Sequence, residues 1–295
     1  MPAAIRPAPT RFDWLALILL GFIWGGTFAV VSVALRGYGP VTVACARTTL
    51  GALAMLTLLR ATGRTLPRSR AVWSSAVPIG LLSTALPFFL LSWGQQSVPS
   101  AFAGLAMTMV PLFVLPLAHV FSDEPLNLRR LAGVGLGVAG VVIVLGPQAA
   151  AGDAVIWAQL ACLAAALCYA VSSILTRRCP AVDPMALAAA MLLVGTVVLI
   201  PAMLLTEGLP RWAGPVPGVA IVALGLLPTA LATLLRVTII RSAGSGFMTQ
   251  TNFMVPLWSL AIGAGVLGES LPRGFALALL LMLAGLALGQ SRSRA

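Results

Sequence analysis

The chain has 295 residues, of which 60% are hydrophobic and only 8% charged, and its mean hydropathy is +1.03. That leaves too little polar surface to coat a water-soluble globule of this size, so the sequence is that of an integral membrane protein. All eighteen basic residues are arginine and seven acids oppose them, a net charge of +11; because the arginines fall in short gaps between apolar runs, with no basic groove of stacking aromatics, they read as membrane topology and not as a nucleic-acid interface.

A membrane-spanning helix needs about 20 mostly apolar residues. Ten such segments follow one another, at 14–35, 41–59, 72–92, 98–121, 130–146, 154–176, 184–205, 217–239, 245–267 and 273–290, which predicts an all-α integral membrane protein of ten transmembrane helices. The first is longer than a signal-peptide core, runs into "RGYGP" and lacks a small-residue cleavage pattern, so it is expected to stay as helix one. Helix two carries Arg47, expected to act as a structural anchor. Helix four ends near His119, the single histidine, expected to be a packed or interfacial residue and not a proton relay. The cysteines, Cys45, Cys162, Cys168 and Cys179, have no paired spacing, so neither a metal site nor another cofactor is expected.

Helix eight contains the most expensive residue of any span, Arg236. It lies five residues before Arg241, which at 1.5 Å per residue is about 7 to 8 Å from the end of the helix and within snorkelling reach. Two readings stay open: an anchor reaching lipid phosphates, or an inward cation that attracts a substrate carboxylate. Helix nine opens with "SGFMTQTNFMVP", in which Ser245, Thr249, Asn252 and Pro256 are spaced to share one helical face. That polar stripe either glues helices together or lets Thr249 and Asn252 bind a small polar solute. Pro78, Pro111, Pro228 and Pro256 interrupt backbone hydrogen bonding within spans and are candidate hinges, as are Pro87 and Pro116. Trp14, Trp73, Trp157 and Trp212 lie near span ends, as interfacial anchors do.

With a cytoplasmic N-terminus, thirteen arginines fall on the inner side and only Arg36, Arg211 and Arg273 on the outer side. Both termini of the multi-pass chain are therefore expected in the cytoplasm, with a bacterial inner (plasma) membrane as the expected location. None of Asp13, Asp123, Glu124, Asp153, Asp183, Glu207 and Glu269 falls deep in a span. Proton relays in a membrane use intramembrane acids, so if this chain moves a solute it is expected to do so as a facilitator driven by the substrate gradient.

Shifting the chain by 145 residues lays Thr84 on Thr229, Ser97 on Ser242, Ser100 on Ser245, Pro111 on Pro256, Glu124 on Glu269 and Gly140 on Gly285, without a gap. Two five-helix halves are expected, residues 1–147 and 148–295. Five is odd, so the second half crosses the membrane in the opposite sense, the inverted repeat of alternating-access transporters.

"LLGFIWGGTFAV" in helix one, "CYAVSSILTRR" in helix six, and the paired "VPLFVLPLAHVFSDEPL" and "VPLWSLAIGAGVLGESL" resemble the drug/metabolite transporter superfamily in its EamA branch, over essentially the full length. Within it the chain looks most like the YddG-type aromatic amino acid exporters. The resemblance implies a central cavity lined by helices one, three, four, six, eight and nine, with helices five and ten peripheral. Trp24, Phe88, Trp93 and Tyr169 would then form aromatic walls, and Thr84 and Thr229 a symmetric pair of hydroxyls.

An intramembrane enzyme would need a metal-binding "HExxH" helix, paired deep acids or a serine with a histidine partner, and the sequence offers none of these. The expected partners are therefore the lipid bilayer and a small-molecule substrate. A sugar-phosphate carrier would want several intramembrane cations. An organic-cation or multidrug exporter, the alternative reading, would want a buried glutamate. A neutral zwitterion with an apolar side chain asks for less, so export of neutral aromatic or hydrophobic amino acids and related metabolites is expected.

Overall fold

The computed structural model describes residues 9–122, 126–148 and 153–290, and every regular element among them is a helix. Local chemistry sets the helix starts. In α1 (Arg11–Ala34) the Thr10 hydroxyl accepts the Asp13 N–H while the Asp13 carboxylate accepts the Thr10 N–H, so two end groups satisfy each other. Helices α2 (Pro40–Ala61) and α7 (Pro184–Thr206) begin on proline, whose missing N–H costs nothing in the first turn. Asp183 caps α7 by accepting the N–H groups of Met185 and Ala186.

Four spans change their winding on the way. Helix α3 runs as Arg70–Gly80, a wider π-type turn at Leu81–Ala85, then Leu86–Gly94. Helix α8 repeats the pattern as Pro215–Gly225, a π-type turn at Leu226–Leu231, then Ala232–Ser242. The two π-type turns begin 145 residues apart. Proline supplies the cause: Pro228 cannot donate to the Leu224 carbonyl, and the Thr229 hydroxyl donates to it instead, at 3.3 Å. Pro78 precedes the α3 turn by three residues and Pro87 follows it by two.

Helix α4 is divided into Ser100–Ala106 and Met109–Ser122, and α9 into Ser245–Met248 and Thr251–Gly265. Tight three-residue bonds fill both breaks, Val110 N–H to the Met107 carbonyl at 3.1 Å and Phe253 N–H to the Gln250 carbonyl at 3.1 Å. Each break lies a few residues before a proline, Pro111 or Pro256. The expectation of one continuous helix nine is thereby corrected. Thr249 sits in the connecting turn, so the winding from Ser245 to Pro256 is not that of one regular helix.

Helices α5 (Leu128–Gln148), α6 (Asp153–Arg178) and α10 (Phe275–Gln290) complete the chain. Helix occupies each predicted apolar stretch. Eight of these helical runs, α1 to α8, are long and apolar enough to cross a membrane, and α10 is a shorter apolar helix of 16 residues.

The helices pack in definite pairs: α1 on α9, α6 on α4, α1 on α8, α6 on α3, α2 on α8, α7 on α3, and the partners α2 with α7, α4 with α9 and α5 with α10. Small residues let backbones meet. A Cβ on Gly133 of α5 would stand 2.6 Å from the Gly285 carbonyl oxygen of α10, and one on Gly285 would stand 2.5 Å from that of Gly133. Helix α5 is the least buried of the eight spanning helices.

Candidate functional site

Three of the side-chain clusters in the bundle are linked by shared aromatic residues. One joins α1, α3, α4, α5, α6, α9 and α10, a second joins α1, α8 and α9, and a third joins α2, α3 and α7. Trp24 packs against the first and second, and Tyr169 against the first and third. These two aromatic rings of α1 and α6 therefore sit where separate packing units adjoin, the kind of seam at which membrane transporters place their sites.

Phe88 of α3 is buried in the third cluster, and the Arg47 guanidinium of α2 lies over its ring, 3.8 Å from the centroid. Arg47 is thus in the protein interior and not at a lipid-facing surface. Arg236 of α8 is different. It is exposed, has no hydrogen-bond or ion-pair partner among the described residues, and lies four residues after Ala232 and three before Ile239. Those two residues are fully buried against α1 and α9. At 100° per residue Arg236 falls on the same side of α8 as both, so its exposure opens towards that seam.

Asn252 is half-buried at the start of the second part of α9, with no side-chain hydrogen bond among the described residues. Thr249 is exposed in the turn just before it, and Trp93 is exposed at the end of α3. Thr84 and Thr229 take matching places in the two wide turns. The Thr84 hydroxyl donates to the Gly80 carbonyl at 2.7 Å and abuts Gly195 of α7, whereas Thr229 abuts Gly51 of α2. Each threonine thus seats a wide turn on one member of the α2–α7 pair. All four hinge candidates, Pro78, Pro111, Pro228 and Pro256, lie in or within a few residues of an irregular winding.

The described acids lie at helix ends, and two of them hold other helices. Glu207, after α7, accepts the N–H groups of Val41 and Thr42 at 2.9 and 2.8 Å, at the start of α2. Glu269, after α9, accepts those of Ser100 and Ala101 at 2.9 and 3.1 Å, at the start of α4. Both carboxylates meet the positive end of a helix dipole. At the opposite end of the bundle Asp13 accepts the Ser242 hydroxyl, joining α1 to α8, and Arg64 pairs with Asp183 at 2.9 Å. Sequence reasoning missed the two glutamate clasps and the Arg47–Phe88 contact. The repeat pairing of Ser100 with Ser245 and of Glu269 with Glu124 was a signal for the second clasp; Glu124 and the Ser245 side chain lie outside the described residues.

The EamA-like transporter family model matches the chain twice, over residues 12–146 and again over residues 156–289. The chain belongs to the EamA-like transporter family. This EamA-like protein is 27% identical to the "Uncharacterized inner membrane transporter YedA" of Escherichia coli over 88% of its own length and 84% of the relative's. It is 28% identical to the "Probable terminal-alkyne amino-acid exporter" of Streptantibioticus cattleyicolor over 87% of its length and 86% of the relative's. A solved crystal structure of a 23% identical protein covers 94% of this chain and 96% of its own with a TM-score of 0.67, which shows that the two share a fold. The EamA-like membrane fold, with helix α5 on its rim and Trp24 and Tyr169 within, is thus a transporter scaffold.

Proposed function

We propose that this EamA-like protein exports neutral amino acids with aromatic or other hydrophobic side chains across the bacterial inner membrane, as the YddG-type exporters it resembles do. It works by alternating access of two inverted five-helix halves, residues 1–147 and 148–295, with both termini cytoplasmic. The observation that carries this reading is the composition of the seam: aromatic rings from α1, α3 and α6, an accessible Arg236 and a half-buried Asn252, with every described acid at a helix end. Such a lining suits a flat apolar side chain with a carboxylate, and offers an organic cation no counter-ion. Trp24, Phe88, Trp93 and Tyr169 supply the apolar walls, Thr249 and Asn252 polar contacts, and Arg236 attracts the carboxylate into the seam on its way to the centre. Thr84 and Thr229 brace the joints. The exporter of Streptantibioticus cattleyicolor, named for an amino acid, supports the substrate class.

Several observations support the inverted halves. The family model matches twice, and exchanging the halves maps the α1–α9 contact onto α6–α4, α1–α8 onto α6–α3, and α2–α8 onto α7–α3. The α2–α7, α4–α9 and α5–α10 contacts map onto themselves, as pairs on a pseudo-two-fold axis do. With no carboxylate among the described residues in the seam to carry protons, the protein acts as a facilitator. The test is counterflow in proteoliposomes preloaded with unlabelled amino acids, an organic cation or a sugar phosphate, following labelled phenylalanine. Trans-stimulation by neutral amino acids, unaffected by a pH gradient, is expected; stimulation by the cation alone would replace this reading with an organic-cation exporter.

A further inference from the structure

Arg47 stands on the second turn of α2, only 8% exposed, and its guanidinium is charged at any physiological pH. Its Nε is buried without a hydrogen-bond partner, and among the described residues no carbonyl or carboxylate forms a hydrogen bond or ion pair with the group. Arginines that anchor this fold look different: Arg64 pairs with Asp183, and Arg178 donates to the Phe121 carbonyl. Glu207, at the start of the same helix, is no substitute, because both of its oxygens already accept the N–H groups of Val41 and Thr42. The Phe88 ring under Arg47 offsets only part of the cost of removing a guanidinium from water.

Tyr169 of α6 packs against the same cluster as Phe88 and is an electrostatic neighbour of Arg47. Its hydroxyl also has no hydrogen-bond partner among the described residues, and its ring reaches the central cluster against which Trp24 packs. An arginine fork stacked on an aromatic face and a tyrosine packed on the same cluster lie where α2, α3 and α6 meet. What this arrangement lacks is an anion.

We propose that Arg47, Phe88 and Tyr169 form a buried anion subsite that takes the carboxylate of the transported solute. Arg47 donates the fork, Tyr169 adds a hydroxyl donor, and the Phe88 ring holds the guanidinium plane in place. That the solute is an amino acid rests on the reading above; that the subsite takes a carboxylate does not. Helix α2 thereby contributes to recognition, although the resemblance left it outside the cavity lining.

The test measures thermal unfolding of the purified protein in detergent with L-phenylalanine, phenylacetate or phenethylamine, alongside phenylalanine counterflow. Wild-type protein is expected to be stabilised by phenylalanine and phenylacetate but not by phenethylamine, which has no carboxylate. Arg47→Met should unfold at or above the wild-type temperature without ligand, because an unpaired buried charge is gone, and should lose both ligand shifts. Arg47→Lys, which keeps the charge but not the fork, should bind phenylalanine at least about tenfold more weakly at normal yield. Retained phenylacetate stabilisation in Arg47→Met, a folding defect in that variant, or wild-type affinity in Arg47→Lys would each overturn the subsite. Wild-type binding of phenylacetate without phenylalanine flux would leave the subsite standing and remove the amino-acid reading. Normal phenylalanine flux in Arg47→Met would do the reverse.

Discussion

Replacing Glu207 by glutamine should loosen α2 from α7 without touching any apolar contact. One Glu207 oxygen accepts the Val41 N–H at 2.9 Å and the other the Thr42 N–H at 2.8 Å. Glutamine retains a single acceptor, so one N–H loses its partner, and the negative charge at the head of the helix is lost as well. A hydrogen bond to a charged group contributes about 1.5–3 kcal/mol and the dipole interaction about 0.3–1 kcal/mol. Glu207 is exposed, so water competes and the loss should sit near the lower end, about 2 kcal/mol. Glu269 makes the same contacts to Ser100 and Ala101 but is half-buried, so Glu269→Gln should cost more, about 3 kcal/mol. The assay is equilibrium unfolding in mixed micelles of rising SDS content. Gly39→Ala supplies an internal check, since its Cβ would lie 2.4 Å from the Glu207 carboxylate and displace it. Combined with Glu207→Gln it should add little. Stabilities of both glutamine variants within about 0.5 kcal/mol of wild type would refute the clasps as holding elements.

Gly285→Ala forces a Cβ to within 2.5 Å of the Gly133 carbonyl oxygen, so α5 and α10 must separate; a loss of about 1–3 kcal/mol in the same unfolding assay is expected. Gly135→Ala, with nothing within 4 Å of the added carbon, should be neutral or stabilising by up to about 1 kcal/mol, and a loss there would contradict the packing. The Arg64–Asp183 pair is half-exposed, so Arg64→Ala should cost less than about 1 kcal/mol. Asp183→Ala also removes the cap of α7 and should cost about 1 kcal/mol more than Arg64→Ala by the same measurement. Arg236→Leu should leave folding intact by size-exclusion profile while lowering phenylalanine counterflow, and unchanged flux would return Arg236 to a lipid anchor.

Most of the fold was legible because the bilayer leaves few choices. Apolar runs bounded by arginine, glycine or proline must be helical, and the helices found match the predicted stretches to within three residues. The break in α9 was not legible, since reading Ser245, Thr249, Asn252 and Pro256 as one face assumes regular winding through a turn that tightens ahead of Pro256. The same limit hid the widened turns at Leu81–Ala85 and Leu226–Leu231, although the 145-residue match of Thr84 with Thr229 ran through both. Site residues divided along similar lines. Trp24 stood out by residue type at mid-span, whereas Tyr169 was reached only through the family resemblance. The surroundings of Arg47 were not legible, because the Phe88 ring it lies over comes from α3 and such a contact is a fact of packing. The Glu207 clasp joins positions 166 residues apart, a distance over which no local pattern reaches.

The most direct test of two mouths serving one seam uses a background lacking Cys45, Cys162, Cys168 and Cys179, with Trp93→Cys near one end of α3 and Arg236→Cys near the opposite end of α8. A bulky membrane-impermeant thiol reagent is attached at position 236 from the cytoplasmic side, and the rate of labelling at position 93 is then followed from the outside. Alternating access predicts that the bulky group props the inner mouth open and slows labelling at position 93 severalfold. An unchanged rate at position 93 would mean that the two ends open independently, and would contradict the account.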